Sequence, residues 1–285
     1  MQTVENQMAQ SYETRLIRVL DYIHDNPDAD LSLDALAEVA AMSRFHWHRV
    51  FHGMTGETLA QAVRRVRMYR AAGWLIRTDD PIAVIGARVG HDNVQSFTRV
   101  FRDSFGMSPG AFRTRGELRP PLLKRREGDH PMFPVDISDH PARSLAVLPH
   151  QGGYLEIGGV FEKLSALFTT RNLWGHARGM LGVYYDDPNA VAEADLRSHA
   201  GIVLDAPVVL EAPLEPLELP AGRYAVMHYK GPYAGLKAAY DYLYGDWLPK
   251  SGEEVGDHPP IEIYLNSPQD TAPEELLTEV CVPLA

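Results

Sequence analysis

The chain has 285 residues, 45% of them hydrophobic and 23% charged, and a net charge of −11. This length predicts about two domains, each large enough to bury its own core. No apolar run approaches the ~20 residues that span a bilayer, and the polar stretch from Met1 to Tyr12 lacks the core of a signal peptide. The one cysteine, Cys281, excludes an internal disulfide framework and a cysteine-based zinc cluster. We therefore expect a cytoplasmic protein without a cofactor.

The charge is divided unequally along the chain. Residues 40–120 contain 13 arginines and no lysine against six acids, a net charge of +7, whereas residues 121–285 carry a net charge of −12. A basic half attracts phosphate and an acidic half is repelled by it. A solvated basic face is one interpretation of the excess. The exclusive use of guanidinium groups, which form paired hydrogen bonds with phosphate or guanine, favours nucleic acid.

Three helices are predicted at the start of the chain. Apolar residues at helical spacing indicate a packing helix over 11–26, and a short amphipathic helix covers Asp34–Ala40. After a tight break, a further helix over Ser43–His52 begins at a serine suited to cap it. Two helices joined by a short turn form the helix-turn-helix plan, in which Val50 and Phe51 face the body of the domain. The residues expected to face a DNA groove are Arg44, Phe45, His48 and Arg49.

The same unit recurs fifty residues later. A capping residue, an Arg-Val-Phe triplet and a glycine occur in register in both copies, which chance identity rarely produces. The matched positions are Ser43 and Asn93, Arg49-Val50-Phe51 and Arg99-Val100-Phe101, and Gly56 and Gly106. We therefore predict two helix-turn-helix units, over residues 30–58 and 80–108.

A long helix is predicted between the two units. Residues 59–77 would form a helix roughly 28 Å long at 1.5 Å per residue. That approaches the ~34 Å between successive major-groove faces on one side of DNA, so the helix would hold both recognition helices against one side of a duplex. The second unit begins at Asp80-Pro81, a cap followed by proline at the first helical position. Its recognition helix runs from Asn93 to about Phe105.

Residues 13–115 resemble the DNA-binding domain of AraC-type transcriptional regulators. The resemblance is most specific from Gly90 to Arg113, through Gly90-His91-Asp92-Asn93 and Phe105-Gly106-Met107-Ser108-Pro109. It implies that two sets of residues face the grooves: Arg44, Phe45, His48 and Arg49, and Val94, Gln95, Ser96 and Arg99. Arginine pairs with guanine, glutamine with adenine, and valine or phenylalanine meets a thymine methyl group. His48 and His52 also have a metal-binding spacing, but surface histidines are the preferred interpretation, so no metal is expected.

The composition divides the chain into three parts. Residues 1–115 form the predicted DNA-binding domain, residues 116–134 a linker rich in proline and glycine, and residues 135–285 a second domain. That second domain also contains a repeat, because Ala146-Val147 and the following Gly-Gly-Tyr align, 79 residues on, with Ala225-Val226 and Gly-Pro-Tyr. We predict an all-α tandem helix-turn-helix domain followed by an α+β domain of two strand-helix-strand-strand repeats with pseudo-twofold symmetry.

A ligand cleft is predicted between the two repeats. In the strand Ile261–Leu265, alternation places the isoleucines on one face, which we expect to cover the helix, and Glu262 with Tyr264 on the other, facing the cleft. The matching residue of the first repeat is Gly182, which leaves space beside this carboxylate. An exposed glutamate on an edge strand is the alternative. A buried one suits a cation stacked on aromatic rings. The aromatic candidates are Tyr184, Tyr229, Tyr233, Tyr264, Trp174 and Trp247.

Residues 133–285 resemble the gyrase-inhibitor-like effector-binding domain. The resemblance is carried by His228–Tyr233, Trp247–Gly252 and Pro260–Tyr264. It implies that Glu262 lies in a small-molecule cleft, as in multidrug-sensing regulators that bind cationic, aromatic compounds. The first hypothesis is a transcription regulator that binds double-stranded DNA, a small-molecule effector and RNA polymerase, and no membrane.

Two further hypotheses remain. One is a small-molecule hydrolase or sequestering module, with Glu262 as base and a tyrosine as proton donor; no catalytic triad or phosphate loop supports it. The other is a protein-interaction module that uses the cleft edge. Because one bound cation changes a charge of −12 by about one unit, charge alone predicts that a ligand alters DNA affinity by less than about tenfold, or 1.4 kcal/mol.

Overall fold

The computed structural model describes residues 2–27, 29–116 and 132–285. These residues divide into two compact units. The helical unit comprises Gln10–Ala41 and the described part of Thr55–Glu127. The sheet unit comprises Met42–Met54 and the described part of Gly128–Ala285, together with the start of the chain. Most of the predicted linker, residues 117–131, lies outside the described residues. The segment Met42–Met54, which the sequence places in the first domain, therefore packs with the C-terminal residues.

Seven helices are described before the sheet. They are α1 Gln2–Asp25, α2 Leu33–Ala40, α3 Trp47–Thr55, α4 Leu59–Arg77, α5 Ile82–Arg88, α6 Val94–Phe105 and α7 Pro109–Arg115. The connecting helix α4 has the predicted bounds, and a reciprocal capping box between Thr58 and Gln61 begins it. At α6 the predicted cap is also confirmed, since Asn93 Oδ1 accepts from the amides of Gln95 at 2.7 Å and Ser96 at 3.2 Å.

The first predicted recognition helix begins later than the sequence indicated. The Ser43 side chain accepts from the amide of Phe45 at 3.3 Å, and its carbonyl oxygen accepts from the amides of His46 and Trp47. These bonds form a tight turn over residues 43–46, so α3 starts at Trp47. The prediction that Ser43 caps this helix is therefore wrong. Val50 and Phe51 are fully buried, as expected.

The helical unit has a core built on aromatic rings. Phe101 lies with its ring centroid 4.7 Å from that of Phe105, 5.3 Å from Phe112 and 5.6 Å from Phe97. These rings pack on buried residues of α4 and α5, which are Met68, Ala71, Ala72, Leu75 and Ile85. The second helix-turn-helix unit is therefore held on the long helix by apolar contacts between α4, α5, α6 and α7.

The sheet unit contains one antiparallel sheet of eight strands. The strands are β1 Val135–His140, β2 Arg143–Gln151, β3 Ala177–Tyr184, β4 Arg197–Leu204, β5 Glu215–Leu219, β6 Gly222–Lys230, β7 Ile261–Tyr264 and β8 Leu277–Pro283. Helix α8, Gly158–Thr170, follows β2. Helix α9, Leu236–Tyr242, follows β6 and continues through a π-helical turn, Leu243–Trp247, into α10, Leu248–Ser251. The order across the sheet is β1-β6-β8-β7-β3-β4-β2-β5. Each half has one strand, β1 or β5, more than the sequence pattern predicted.

The two faces of this curled sheet pack against different partners. One face, including Tyr184 and Ile202, packs on Leu164 and Phe168 of α8. The other face is a cluster of side chains from the strands of both halves, and Ile261 belongs to it. The prediction that the isoleucine face covers the helix is therefore wrong. Curling buries the second face of the sheet on itself, so the Glu262 face meets the helices.

Among the described helices, none is long and apolar enough to cross a membrane.

Candidate functional site

Glu262 is a buried carboxylate at the centre of the sheet. On β7 its Cα pairs with that of Gly182 on the neighbouring β3, which joins the two halves. The residue is 5% exposed. Tyr240 of α9 donates a hydrogen bond to Oε1 at 3.1 Å, and Tyr264 donates one to Oε2 at 3.0 Å. The interpretation of Glu262 as an exposed edge-strand residue is excluded by this burial.

Four tyrosines surround this carboxylate, and we call Tyr184, Tyr233, Tyr240 and Tyr264 the tyrosine cage. The hydroxyl groups of Tyr184 and Tyr264 lie 2.6 Å apart. The ring of Tyr233 meets that of Tyr264 edge-on at 5.5 Å between centroids. Aromatic faces carry negative electrostatic potential, so the cage and Glu262 together form a site suited to positive charge.

Burial raises the pKa of Glu262 to about 7, even though hydrogen bonds from Tyr264, Tyr240 and Tyr184 and the positive charge of Arg49 lower it. Removing the carboxylate from water disfavours its charged form, which is why the pKa rises. Burial also raises the pKa of the Tyr184, Tyr240 and Tyr264 hydroxyl groups well above the ordinary value. These tyrosines are therefore neutral donors, and Glu262 is the group in the cage that gains or loses charge near neutral pH.

The absence of a side chain at Gly182 makes room for the ring of Tyr184. A Cβ atom at this position would lie 2.7 Å from Cε2 of Tyr184 and 2.9 Å from its hydroxyl oxygen. The sequence predicted that Gly182 leaves space beside Glu262. In the structure the Tyr184 ring occupies that space.

The other predicted aromatic residues have different environments. The Tyr229 hydroxyl donates to the carbonyl oxygen of Pro232 at 2.7 Å. Trp174 is 41% exposed and donates from Nε1 to Thr169 at 2.9 Å, and Trp247 lies half-buried in the π-helical turn. Tyr229 and Trp174 thus form hydrogen bonds with residues close to them in sequence, Pro232 and Thr169, and the structure does not bring these two rings to Glu262.

Sequence reasoning missed Tyr240 and Tyr154. Tyr240 had no distinguishing pattern on an amphipathic helix, and only the fold places its hydroxyl at Glu262. Tyr154 was visible in the repeat, because it aligns with Tyr233. Its ring meets Tyr184 at 4.8 Å between centroids, and its hydroxyl bonds to the backbone of Asp186 at 2.9 Å and 3.0 Å.

Arg49 lies in the sheet unit beside this site. It is 7% exposed, and its guanidinium donates to the carbonyl oxygen of Asp186 at 2.7 Å and to that of Phe45. Its carbon Cζ lies 5.8 Å from the ring centroid of Tyr240 and equally far from that of Tyr244. Arg49 is therefore a cation held against aromatic faces, one of which belongs to the tyrosine cage.

His46 fixes the same segment to the sheet unit. Its Nε2 lies 2.7 Å from the carbonyl oxygen of His258, and its Nδ1 lies 2.7 Å from the Tyr244 hydroxyl. Because a carbonyl oxygen only accepts, Nε2 carries the proton and Nδ1 accepts from Tyr244. Burial, followed by the charge of Arg49, lowers the pKa of His46 to about 3. His46 is therefore neutral at physiological pH.

The residues predicted to face DNA have different exposures in the two helix-turn-helix units. In the second unit Val94, Gln95 and Arg99 are exposed and Ser96 is half-buried. In the first, Arg44 is exposed, while Phe45 is half-buried with its ring 6.3 Å from that of Tyr185. His48 and Arg49 are 8% and 7% exposed, so the prediction that they face outward is wrong in this structure. For Arg49, contacts with Asp186 and with the rings of Tyr240 and Tyr244 replace contacts with solvent.

Two family models match the chain. The GyrI-like small molecule binding domain matches residues 133–285, more than half of the chain. A helix-turn-helix domain matches residues 36–115. Both matches fall on the ranges over which the sequence resembles these families.

Individual proteins are similar to the N-terminal part. The multiple antibiotic resistance protein MarA of Escherichia coli strain K12 is 34% identical over 104 residues, which are 35% of this chain and 82% of that protein. The regulatory protein SoxS of Salmonella typhimurium strain LT2 is 30% identical over 105 residues, 37% of this chain and 98% of that protein. Among solved structures, the EcmrR C-terminal domain is 16% identical, with a TM-score of 0.45 over 54% of this chain and 98% of that one. The chain belongs to the AraC-type transcriptional regulators that bind DNA, and its C-terminal part is a GyrI-like small-molecule-binding domain.

Proposed function

We propose that this regulator senses a small organic cation through Glu262 and the tyrosine cage. The observation that carries the proposal is a buried carboxylate with two tyrosine hydroxyl groups on its oxygens and aromatic rings around it. A cation entering such a site gains both a charge partner and aromatic faces. Because the site is buried, this attraction is stronger than for an exposed pair. The proposal includes a pseudo-twofold relation of the two halves about the β3–β7 boundary, where this site lies.

The affinity for a cation is expected to depend on pH through Glu262. A cation prefers the ionised carboxylate, and the pKa of about 7 means that the ionised fraction falls at lower pH. Affinity should fall by up to about tenfold per pH unit below 7 and level off above about 8. Calorimetric titration with benzamidine, whose amidinium stays protonated across this range, measures the effect. An affinity that is the same at pH 5.5 and pH 8 would contradict the proposal, and the neutral isostere benzamide serves as the control.

We propose that Arg44, Phe45, His48 and Arg49 in the first unit, and Val94, Gln95, Ser96 and Arg99 in the second, contact DNA bases and phosphates. Arg99 is the clearest test, because it is exposed on α6 in a net-basic region. Arg99→Ala should weaken binding to a duplex selected from a random-sequence pool by about 1–3 kcal/mol and relax the preference at one base position. Lys163→Ala, which removes an exposed cation from α8, is the control. Equal affinities of the Arg99 variant and the unchanged protein would exclude this role.

We propose RNA polymerase as the protein partner. The support is electrostatic: residues 121–285, with a net charge of −12, are repelled by DNA and so stay available to another protein.

The proposed domains are those of the sequence, 1–115 and 135–285, with the linker 116–134 between them.

A hydrolase is the second candidate. Its support is the pKa of Glu262 near 7, which suits a general base, together with tyrosine hydroxyl groups placed to donate protons. Incubating the protein with amide and ester forms of a bound cation separates the two functions. Turnover that is lost in a Glu262→Gln variant would favour the enzyme, and binding without turnover favours the sensor.

A further inference from the structure

The segment Met42–Met54, which we call the docked segment, brings a cation of the chain itself to the proposed ligand site. Arg49 is buried, donates to the carbonyl oxygen of Asp186, and lies 5.8 Å from the Tyr240 ring. The hydroxyl of the same tyrosine donates to Glu262. One side chain of the cage thus binds the carboxylate with its hydroxyl and the guanidinium with its ring.

The docked segment fits the rest of the sheet unit closely at one point. A Cβ atom at Gly53 would lie 2.6 Å from Cα of Gly245, and a Cβ at Gly245 would lie 2.6 Å from the carbonyl oxygen of Gly53. Both glycines lie in helical backbone, in α3 and in the π-helical turn after α9. Glycine is needed at both positions because the two backbones approach too closely for a side chain. Either methyl group would force the two segments apart.

His46 adds a directional contact to this packing. It bonds to the Tyr244 hydroxyl and to the His258 carbonyl, both at 2.7 Å, and Tyr244 in turn faces Arg49. A guanidinium, an imidazole and a glycine of one short segment thus each have a specific partner among the C-terminal residues of the sheet unit. A nonspecific hydrophobic contact would not require three such partners.

We propose that Arg49 is a tethered ligand of the tyrosine cage, and that a planar amidinium or guanidinium molecule competes with it and releases the docked segment. The inference rests on the proposed cation-sensing function and specifies the ligand class and its effect. We choose this class because Arg49 itself is a planar cation that lies 5.8 Å from the centroids of two tyrosine rings and donates an N–H to the carbonyl oxygen of Asp186. Release exposes His48 and Arg49, the two predicted DNA-contact residues that the structure buries.

The competition has a quantitative consequence. A protein in which only a fraction of molecules has a free site binds its ligand with an affinity reduced by that fraction. By reciprocity, the ligand favours the released segment by the same factor. Charge alone predicted less than about tenfold coupling between ligand and DNA. Direct competition predicts a larger coupling, because His48 and Arg49 stay buried and cannot contact DNA until the ligand releases the docked segment.

Benzamidine binding at pH 8 to three full-length variants tests the competition. Arg49→Ala removes the tethered cation, and Gly245→Ala adds a methyl group against Gly53 without replacing any residue of the cage. Both are expected to bind benzamidine at least tenfold more tightly than the unchanged protein. The matched control is Gly159→Ala, a helical glycine of α8 whose added Cβ would have nothing within 4 Å; its affinity should be unchanged. Circular dichroism checks that each variant is folded.

Amide hydrogen exchange supplies an independent readout. Saturating benzamidine should increase exchange in peptides covering residues 42–54 of the unchanged protein, and Gly245→Ala should show that increase without ligand. Benzamidine should also raise affinity for the selected duplex more than tenfold in the unchanged protein and little in Gly245→Ala. Equal benzamidine affinities in the unchanged protein, Arg49→Ala and Gly245→Ala would overturn the tethered-ligand proposal and leave cation sensing intact. No benzamidine binding by any of them would overturn both.

Discussion

Replacing Glu262 with glutamine is expected to weaken benzamidine binding about a hundredfold at pH 8. The change keeps the shape of the side chain and removes the charge that faces the ligand. A hydrogen-bonded contact to a buried charge contributes about 1.5–3 kcal/mol, and a hundredfold change is about 2.7 kcal/mol. Benzamide, which has the same shape without the charge, should lose much less affinity. Calorimetric titration of both compounds measures the difference.

The same substitution should stabilise the folded protein at pH 8. The pKa of Glu262 is raised from 4.5 to about 7 in the folded state. The group's contribution to stability is therefore fully present below pH 4.5 and is lost as the pH rises through 7. At 1.36 kcal/mol per unit, the ionised carboxylate costs about 3 kcal/mol above that pH. Glutamine removes this cost, while the lost acceptor for one tyrosine hydroxyl reduces the gain.

Urea unfolding at pH 5 and pH 8 tests the predicted effect of Glu262→Gln on stability. The free energy of unfolding of Glu262→Gln should exceed that of the unchanged protein at pH 8, and the two should converge toward pH 5. Glu274→Gln, at an exposed carboxylate, should change neither ligand affinity nor stability. A variant that loses stability at pH 8 and keeps its benzamidine affinity would place Glu262 among structural residues.

Replacing Phe101 with alanine should destabilise the helical unit by about 3–5 kcal/mol. Phe101 is fully buried and contacts three other phenylalanine rings. The rigid α4 and α6 backbones cannot collapse fully into the resulting cavity, so the loss includes both burial and packing. Since α6 carries Arg99, DNA binding should weaken at temperatures where this unit opens.

The measurement is urea unfolding of the full chain, followed by hydrogen exchange to assign the change to the helical unit. Val84→Ala is the matched control, because Val84 lies in the same unit and is 40% exposed. A loss below about 1 kcal/mol for Phe101→Ala would show that the second helix-turn-helix unit does not depend on the aromatic core described here. The sheet unit should keep its exchange protection in both variants.

Local patterns were sufficient for much of the helical part. The bounds of α4 and the cap at Asn93 follow from helical periodicity and from hydrogen bonds between residues two or three apart. Both partners of such a contact lie in the same short stretch of sequence, so the sequence alone predicts it. The predicted start of α3 was wrong because Ser43 forms a turn with its neighbours. A serine before a helical pattern can form either a turn or a helix cap, and the sequence does not distinguish the two.

The sequence by itself determined the family, the helix-turn-helix region and six of the eight described strands, and it singled out Glu262, because caps and alternation are written in local order. Only the tertiary structure decided which face of β7 meets the helices, since alternation defines two faces but not the curl that buries both. It alone brought Tyr240 to Glu262 and Arg49 to Tyr240. It also paired Gly53 with Gly245. Contacts between residues so distant in sequence depend on how packed elements approach one another, and no local pattern encodes that approach.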